Sequence, residues 1–148
     1  VEHPEEFAKL RANPDLIPKA VEEIVRWTSP VNYMKRTALH DLEFSGKKIK
    51  QGEHLVLFYA SANRDEEVFP NPFEFHVDRN PNRHLGFGIG EHFCLGANFA
   101  RRSQVAILRE LVARLEWAEA SGPATQIQSS FVVGLKSLPV RYRFLNAA

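Results

Sequence analysis

The sequence predicts a mainly α-helical fold with small antiparallel β-sheets (α+β), formed as a single region over residues 1–148. Three observations point there. Apolar residues recur at helical spacing in separate stretches at the start and in the second half of the chain. Between Val31 and Phe58 the pattern changes to short alternating segments, broken at Ser45-Gly46 and Gln51-Gly52 by turn signals. A stretch rich in proline, asparagine and aspartate, with Pro70, Pro72 and Pro81, then separates this β-region from the longest helical pattern. With 148 residues, 44% of them hydrophobic and 25% charged, the chain is long enough to bury one core.

His3-Pro4-Glu5-Glu6 opens the first helix, because a proline there gives up no needed N–H and acids face the positive helix end. That helix runs to about Asn13-Pro14. Asp15 is read as the N-cap of a second helix, along which Leu16, Ile17, Ala20, Val21, Ile24 and Val25 form an apolar face up to Trp27-Thr28-Ser29-Pro30. After the strands, Tyr59 to Asn63 is a single helical turn. The long loop that follows is of the kind that carries function. From about Leu95, the residues Phe99, Val105, Leu108, Leu111, Val112 and Leu115 mark the longest helix, expected to be the centre of the core, with Arg101, Arg102 and Arg109 on its polar side. Beyond Ser121-Gly122-Pro123, β-like pieces around Gly134 and Pro139, within Ile127 to Phe144, are consistent with a closing hairpin.

No apolar run approaches the roughly 18–20 residues of a transmembrane helix, and Val1-Glu2-His3-Pro4-Glu5-Glu6 has no signal-peptide character. Cys94 is the only cysteine, so an internal disulfide is excluded, and a cytoplasmic location is expected. A net charge of +1 carries no nucleic-acid or membrane-surface signal.

Chemistry is expected at that cysteine, in Phe87-Gly88-Ile89-Gly90-Glu91-His92-Phe93-Cys94-Leu95-Gly96. A cysteine just before a helix faces orphan N–H groups and the positive end of the dipole, which favour the thiolate, the form that binds metals or acts as a nucleophile. A lone cysteine is commonly a small core hydrophobe; its neighbours single this one out. The string strongly resembles the haem-ligand loop of the cytochrome P450 family. The resemblance extends over nearly the whole chain and covers the C-terminal third of the family's length. Glu23-Ile24-Val25-Arg26 resembles the family's Glu-x-x-Arg pair, whose spacing places both residues on one helix face. Arg79, in Phe75-His76-Val77-Asp78-Arg79, stands where a second arginine completes the family's structural ion-pair network.

The resemblance implies the C-terminal, haem-binding part of the cytochrome P450 fold, with haem b (iron protoporphyrin IX) as cofactor. Cys94 is then the metal ligand, Phe87 packs beside its sulfur, and Gly88, Gly90 and Gly96 leave room for the porphyrin. Arg36 and His92 are the expected partners of the haem propionates. Val31 to Met34 and Phe131 to Val133 stand where the family contacts substrate, so Val31, Met34, Phe131 and Val132 are the candidates. The parent is expected to be a haem-thiolate monooxygenase that inserts one oxygen atom from O2 into a C–H bond of a hydrophobic substrate, a steroid or methyl-branched lipid. Its electron donor is expected to be a ferredoxin or flavodoxin-type protein, to which Arg101 and Arg102 offer a basic surface. The family's oxygen-activating acid-alcohol helix has no counterpart in these residues. The chain is therefore expected to be a fragment, inactive alone, with no catalytic residue beyond the haem ligand.

Two other readings stay open. One is a haem-binding fragment or sensor module without turnover. The other is a cysteine nucleophile served by His92, although residues i and i+2 near a helix start do not obviously place a base beside the sulfur. His40, His54, His76 and His84 lack metal-ligand spacing and are expected at the surface or in local hydrogen bonds.

Overall fold

The structure, a computed structural model, describes residues 2–145. Helix α1 spans Pro4–Ala12, with Glu5 and Glu6 in its first turn. The turn that follows is capped by Asn13 and not by Asp15: the Asn13 side chain accepts the Asp15 N–H, and Asp15 lies inside a 3-10 turn over Pro14–Leu16. Pro14 starts that turn and Pro18 occupies the first turn of α2 (Ile17–Thr28), both positions where a missing N–H costs nothing. Helix α2 ends at Ser29, which adopts φ 41° and donates its buried hydroxyl back to the Arg26 carbonyl.

Four strands follow: β1 (Tyr33–Thr37), β2 (Leu42–Phe44), β3 (Lys47–Ile49) and β4 (His54–Phe58). Ser45-Gly46 closes a β2–β3 hairpin with positive φ at both residues, the geometry that a two-residue hairpin requires. Gln51-Gly52 turns the chain without making a hairpin, because β4 pairs with β1, in antiparallel register from Tyr33↔Phe58 to Thr37↔His54. The short hairpin is thus an insertion between the two strands that matter for the site. A single helical turn, α3 (Tyr59–Ala62), leads into a long meander, which ends at the cysteine loop and α4 (Ala97–Arg114).

The core joins Leu10, Ile17, Ala20, Val77 and Val112, with Phe7, Phe75, Val105 and Leu108 around it. Its centre is α2 rather than α4. Ile17, Ala20, Val21, Glu23, Val25 and Arg26 of α2 are buried, whereas α4 fully buries only Ala97 and Val112. The reason is packing on two sides: α2 carries α4 on one face and the meander on another, while Leu95 and Phe99, expected on an inner face of the long helix, are exposed. The tail also differs from the expected hairpin. Leu115 ends the helix and begins β5 (Leu115–Ala120), which pairs with β8 (Val140–Phe144); β6 (Thr125–Gln126) pairs with β7 (Leu135–Ser137) inside that loop. A bridge between Val31 and Val132 ties the tail to the segment before β1. No helix of the described residues is long and apolar enough to cross a membrane.

Candidate functional site

Glu23 and Arg26 are both 0% exposed and form the anchor beneath the site. Arg26 donates Nε and Nη2 to the two Glu23 oxygens at 2.7 and 2.8 Å. Its remaining N–H groups go to the carbonyls of Asn63, Pro72 and Glu74, so every guanidinium donor is used. Arg79 adds its Nε to both Glu23 oxygens at 3.1 Å and clasps the carbonyls of Pro70, Asn71 and Glu74. The His76 N–H and the Asn82 amide complete the shell around Glu23. Burial alone pushes the Glu23 carboxyl up; the hydrogen bonds from Arg26, the His76 N–H and Arg79 prevail and hold it below the ordinary carboxylate range. The result is a meander fixed to α2 by charge-assisted bonds to its backbone.

Asn63 extends this anchor toward the cysteine. Fully buried, it donates its amide to Ser29 Oγ and accepts the Leu85 N–H at 2.7 Å. Gly86 follows, and its lack of a side chain is required: a Cβ there would sit 2.6 Å from Val25 Cγ1. Gly88 needs glycine twice over, with φ +73° and with Tyr59 Oη 3.3 Å from where a Cβ would lie. The Cys94 N–H returns to the Phe87 carbonyl at 2.9 Å, closing the loop, and the Ala97 N–H that starts α4 bonds the Cys94 carbonyl.

One open cleft of about 670 Å³ lies against this loop, within the range of about 300–1,000 Å³ usual for small-molecule and cofactor sites. Its wall brings together Val31, Met34 and Arg36 from the β1 side, Tyr59 from α3, and Phe87, Gly88, His92 and Cys94 from the loop. Among the described residues the only hydrogen bond of the Arg36 side chain is to the Lys35 carbonyl, which leaves most of its fork available for a carboxylate. Cys94 is a free, exposed thiol. A soft sulfur donor, an apolar wall and two carboxylate-binding side chains are the donor set that a flat apolar iron macrocycle with acidic substituents needs, so the residues fit haem.

Not every expected residue lies on that cleft. Gly96 caps α4 outside its wall, and a Cβ there would make only an ordinary contact, with Cys94 Sγ at 3.9 Å. Phe131 and Val132 are exposed and not on the cleft wall, but are tied to it: Val132 bridges Val31, the Phe131 carbonyl accepts the Asn32 N–H, and the Phe131 ring stacks edge-on against Tyr33. Arg101 is turned inward and bonded to Glu22 at 2.6 and 2.8 Å, so of the two expected surface arginines only Arg102 is exposed. His84 is not at the surface; its side chain is 2% exposed and bonds Glu22 and the Gly86 N–H. No hydrogen bond among the described residues links the His92 ring to Cys94.

Sequence reasoning missed Glu22, Asn63 and Glu6. Buried Glu6 accepts the Val77 N–H and pairs with Lys9, fixing the meander to α1. With His76 and Asp78 it forms a metal-sized group of ligand atoms, but both Glu6 oxygens are already engaged.

The family model for cytochrome P450 matches residues 8–144. The chain belongs to the cytochrome P450 family, whose cofactor is a haem held by cysteine thiolate. It is 49% identical over 140 residues to cytochrome P450-terp of a Pseudomonas species, covering 95% of this chain and 33% of that protein. It is 49% identical over 128 residues to the methyl-branched lipid omega-hydroxylase of Mycobacterium tuberculosis, covering 86% and 30%, and 43% identical to the steroid C26-monooxygenase of Mycolicibacterium smegmatis, covering 93% and 35%. Among solved structures it superposes on CYP109E1 of Bacillus megaterium in complex with testosterone, with TM-score 0.89 and 40% identity over 96% of this chain and 39% of that one. Cytochrome P450-153 of Novosphingobium aromaticivorans gives TM-score 0.91 at 39% identity, over 96% and 36%. The chain spans about a third of the length of the curated relatives it matches.

Proposed function

We propose that Cys94, His92 and Arg36 hold haem b in the cleft, and that the whole protein is a monooxygenase which inserts one oxygen atom from O2 into a C–H bond of a hydrophobic substrate. The observation that carries this reading is the convergence of a free thiol, an arginine and a histidine on one apolar cleft. Haem bound through a thiolate supplies oxygen activation, with the sulfur pushing electron density toward O–O cleavage. The residues of this chain do the rest. Arg36 and His92 orient the cofactor by its carboxylates, Phe87 and Gly88 set how closely the loop approaches it, and the Glu23–Arg26–Arg79 anchor keeps that loop in register. Val31 and Met34 give the substrate side an apolar wall, and Phe131 and Val132, tied to Val31 and Asn32, add exposed apolar surface beside it.

The relatives that act on methyl-branched lipids and steroids, and the neighbour crystallised with testosterone, support a steroid or branched lipid as the substrate class. Arg102 supports an acidic electron donor of ferredoxin or flavodoxin type, because it is exposed on α4 just beyond the cysteine. The test is the absorption spectrum of the haem-loaded whole protein, reduced and exposed to carbon monoxide, beside Cys94→Ala. A red-shifted thiolate-type band that the substitution abolishes is the expected result. An unchanged spectrum in Cys94→Ala removes Cys94 as the ligand. Thiolate haem with electron transfer but no substrate oxidation favours a sensor.

A further inference from the structure

We propose that Glu22 is a positioning residue for the cysteine loop: it holds the Arg101 guanidinium over the Phe87 ring and so fixes a positive charge beside that loop. This rests on the haem-thiolate reading of Cys94. The geometry joins three elements on one carboxylate. Arg101 Nε and Nη2, from α4, donate to Glu22 Oε1 and Oε2 of α2 at 2.6 and 2.8 Å, a two-pronged bond that sets the plane of the guanidinium. Its Cζ then lies 4.5 Å from the centroid of Phe87, within stacking and cation–π range. From the other side, His84 Nε2 reaches Glu22 Oε2 at 3.0 Å. His84 Nδ1 accepts the Gly86 N–H, so Nε2 carries the hydrogen and donates it to the carboxylate.

Phe87 is therefore framed by two side chains that Glu22 holds, one before it in sequence and one beyond it on α4. The same residue forms part of the cleft wall with Cys94 and accepts the Cys94 N–H through its carbonyl. The mutual approach of charges is consistent: Glu22, through its hydrogen bonds, and then nearby Cys94 hold the Arg101 guanidinium above its ordinary value against the effect of burial. Arg101 is accordingly not a surface residue awaiting a partner. Its charge lies against Phe87 of the loop, partly neutralised by Glu22, and the balance between the two would contribute to the field at a haem iron held by Cys94.

The experiment is the ferric–ferrous potential of the haem-loaded whole protein, measured for the wild type, Glu22→Gln, Arg101→Gln and the double substitution. A fixed positive charge near the iron favours the reduced state. Arg101→Gln, which leaves the Glu22 charge behind, is expected to lower the potential; Glu22→Gln, which leaves Arg101 uncompensated, is expected to raise it; the double variant returns toward the wild type. A role confined to structural support moves both single variants the same way, or neither, and puts the double variant at least as far away, and that result overturns the proposal. Arg101→Lys keeps the charge without the fork and is expected between wild type and Arg101→Gln; it replaces Arg101→Gln if the latter does not load haem. If Glu22→Gln alone fails to load, recovery of loading in the double variant supports the charge balance and its absence overturns it. A wild-type protein without a thiolate-type carbon monoxide spectrum removes the haem reading itself, whereas a normal spectrum with unmoved potentials removes only the role of Glu22.

Discussion

Arg26 uses all its N–H groups inside the protein, and no other cation has the shape to do that. Lysine keeps the charge but supplies a point donor, so Arg26→Lys strands buried carbonyls and loses the two-pronged grip on Glu23. The expected cost in denaturant unfolding is roughly 3–5 kcal/mol, from several buried acceptors left unsatisfied at about 1–3 kcal/mol each. Arg79→Lys removes bonds at a partly wetter site, where the side chain is 7% exposed, and is expected to cost less, roughly 1.5–3 kcal/mol. Equal costs for the two, or an Arg26→Lys cost below about 1 kcal/mol, contradict the anchor described here. Of this anchor, Glu23, Arg26 and Arg79 were legible through the family resemblance, the first two also because a spacing of three residues puts them on one helix face. Glu22 was hidden because its partners are 62 and 79 residues away, and Asn63 because the amide it caps, Leu85, lies 22 residues on. Spacing along a helix reveals local pairs; it says nothing about what the meander brings back.

At the scale of elements, α2, α4 and the cysteine loop are joined through two close contacts that each have a measurable consequence. The loop lies so near α2 that Gly86→Ala drives a Cβ into Val25 Cγ1. The expected outcome is a loss of roughly 1–3 kcal/mol and a weakened haem site, with Val25→Ala in the same chain restoring much of both; failure of Val25→Ala to compensate shows that the contact is not the cause. The second is Glu22, which burial pushes up but which hydrogen bonds from His84 and Arg101 bring down to about 2, from an ordinary 4.5. A depressed carboxyl contributes stability above its unfolded value and loses it as pH falls through the folded one, so the contribution fades between about 4.5 and about 2. Because the pair is only half-buried and solvent screens it, on the order of 1–2 kcal/mol is at stake. The stability gap between wild type and Glu22→Gln is expected to shrink as pH falls from about 5 toward 3; a constant gap assigns the effect to shape and not to charge. The helices were readable from periodicity, and so were the β-pieces around Gly134 and Pro139, but not β5 or the pairing of the tail strands. Leu115–Ala120 is rich in alanine and glutamate, which favour helix, yet it pairs with Val140–Phe144 through Glu116–Arg143 and Glu119–Arg141 bridges. Cross-strand partners overrode local preference, as they do where a strand's neighbours decide its state.

Across the whole molecule, order is distributed unevenly, and the unevenness follows from where the buried bonds are. The meander is held by amides that donate to buried side chains: Val77 to Glu6, His76 to Glu23 and Leu85 to Asn63. Residues 89–96, which include the thiol, are all exposed and bound together by a few short-range backbone bonds. Local opening is cheapest where buried contacts are fewest. In the haem-free whole protein, hydrogen exchange is therefore expected to be slow at Val77, His76 and Leu85 and fast through the cysteine loop. Adding haem stabilises only the states that bind it, by about 2.7 kcal/mol at a free concentration of about a hundred times Kd. Because opening of residues 89–96 dismantles the proposed ligand, protection there is expected to rise by up to about 100-fold under those conditions, while the meander amides, already fixed by Glu6, Glu23 and Asn63, change least. Uniform slowing across both regions means that cofactor binding and the folding of the meander are one cooperative event, and that the anchor is not formed before haem arrives. Slowing confined to residues 89–96 means that the ion-pair anchor is a preformed platform onto which the loop closes.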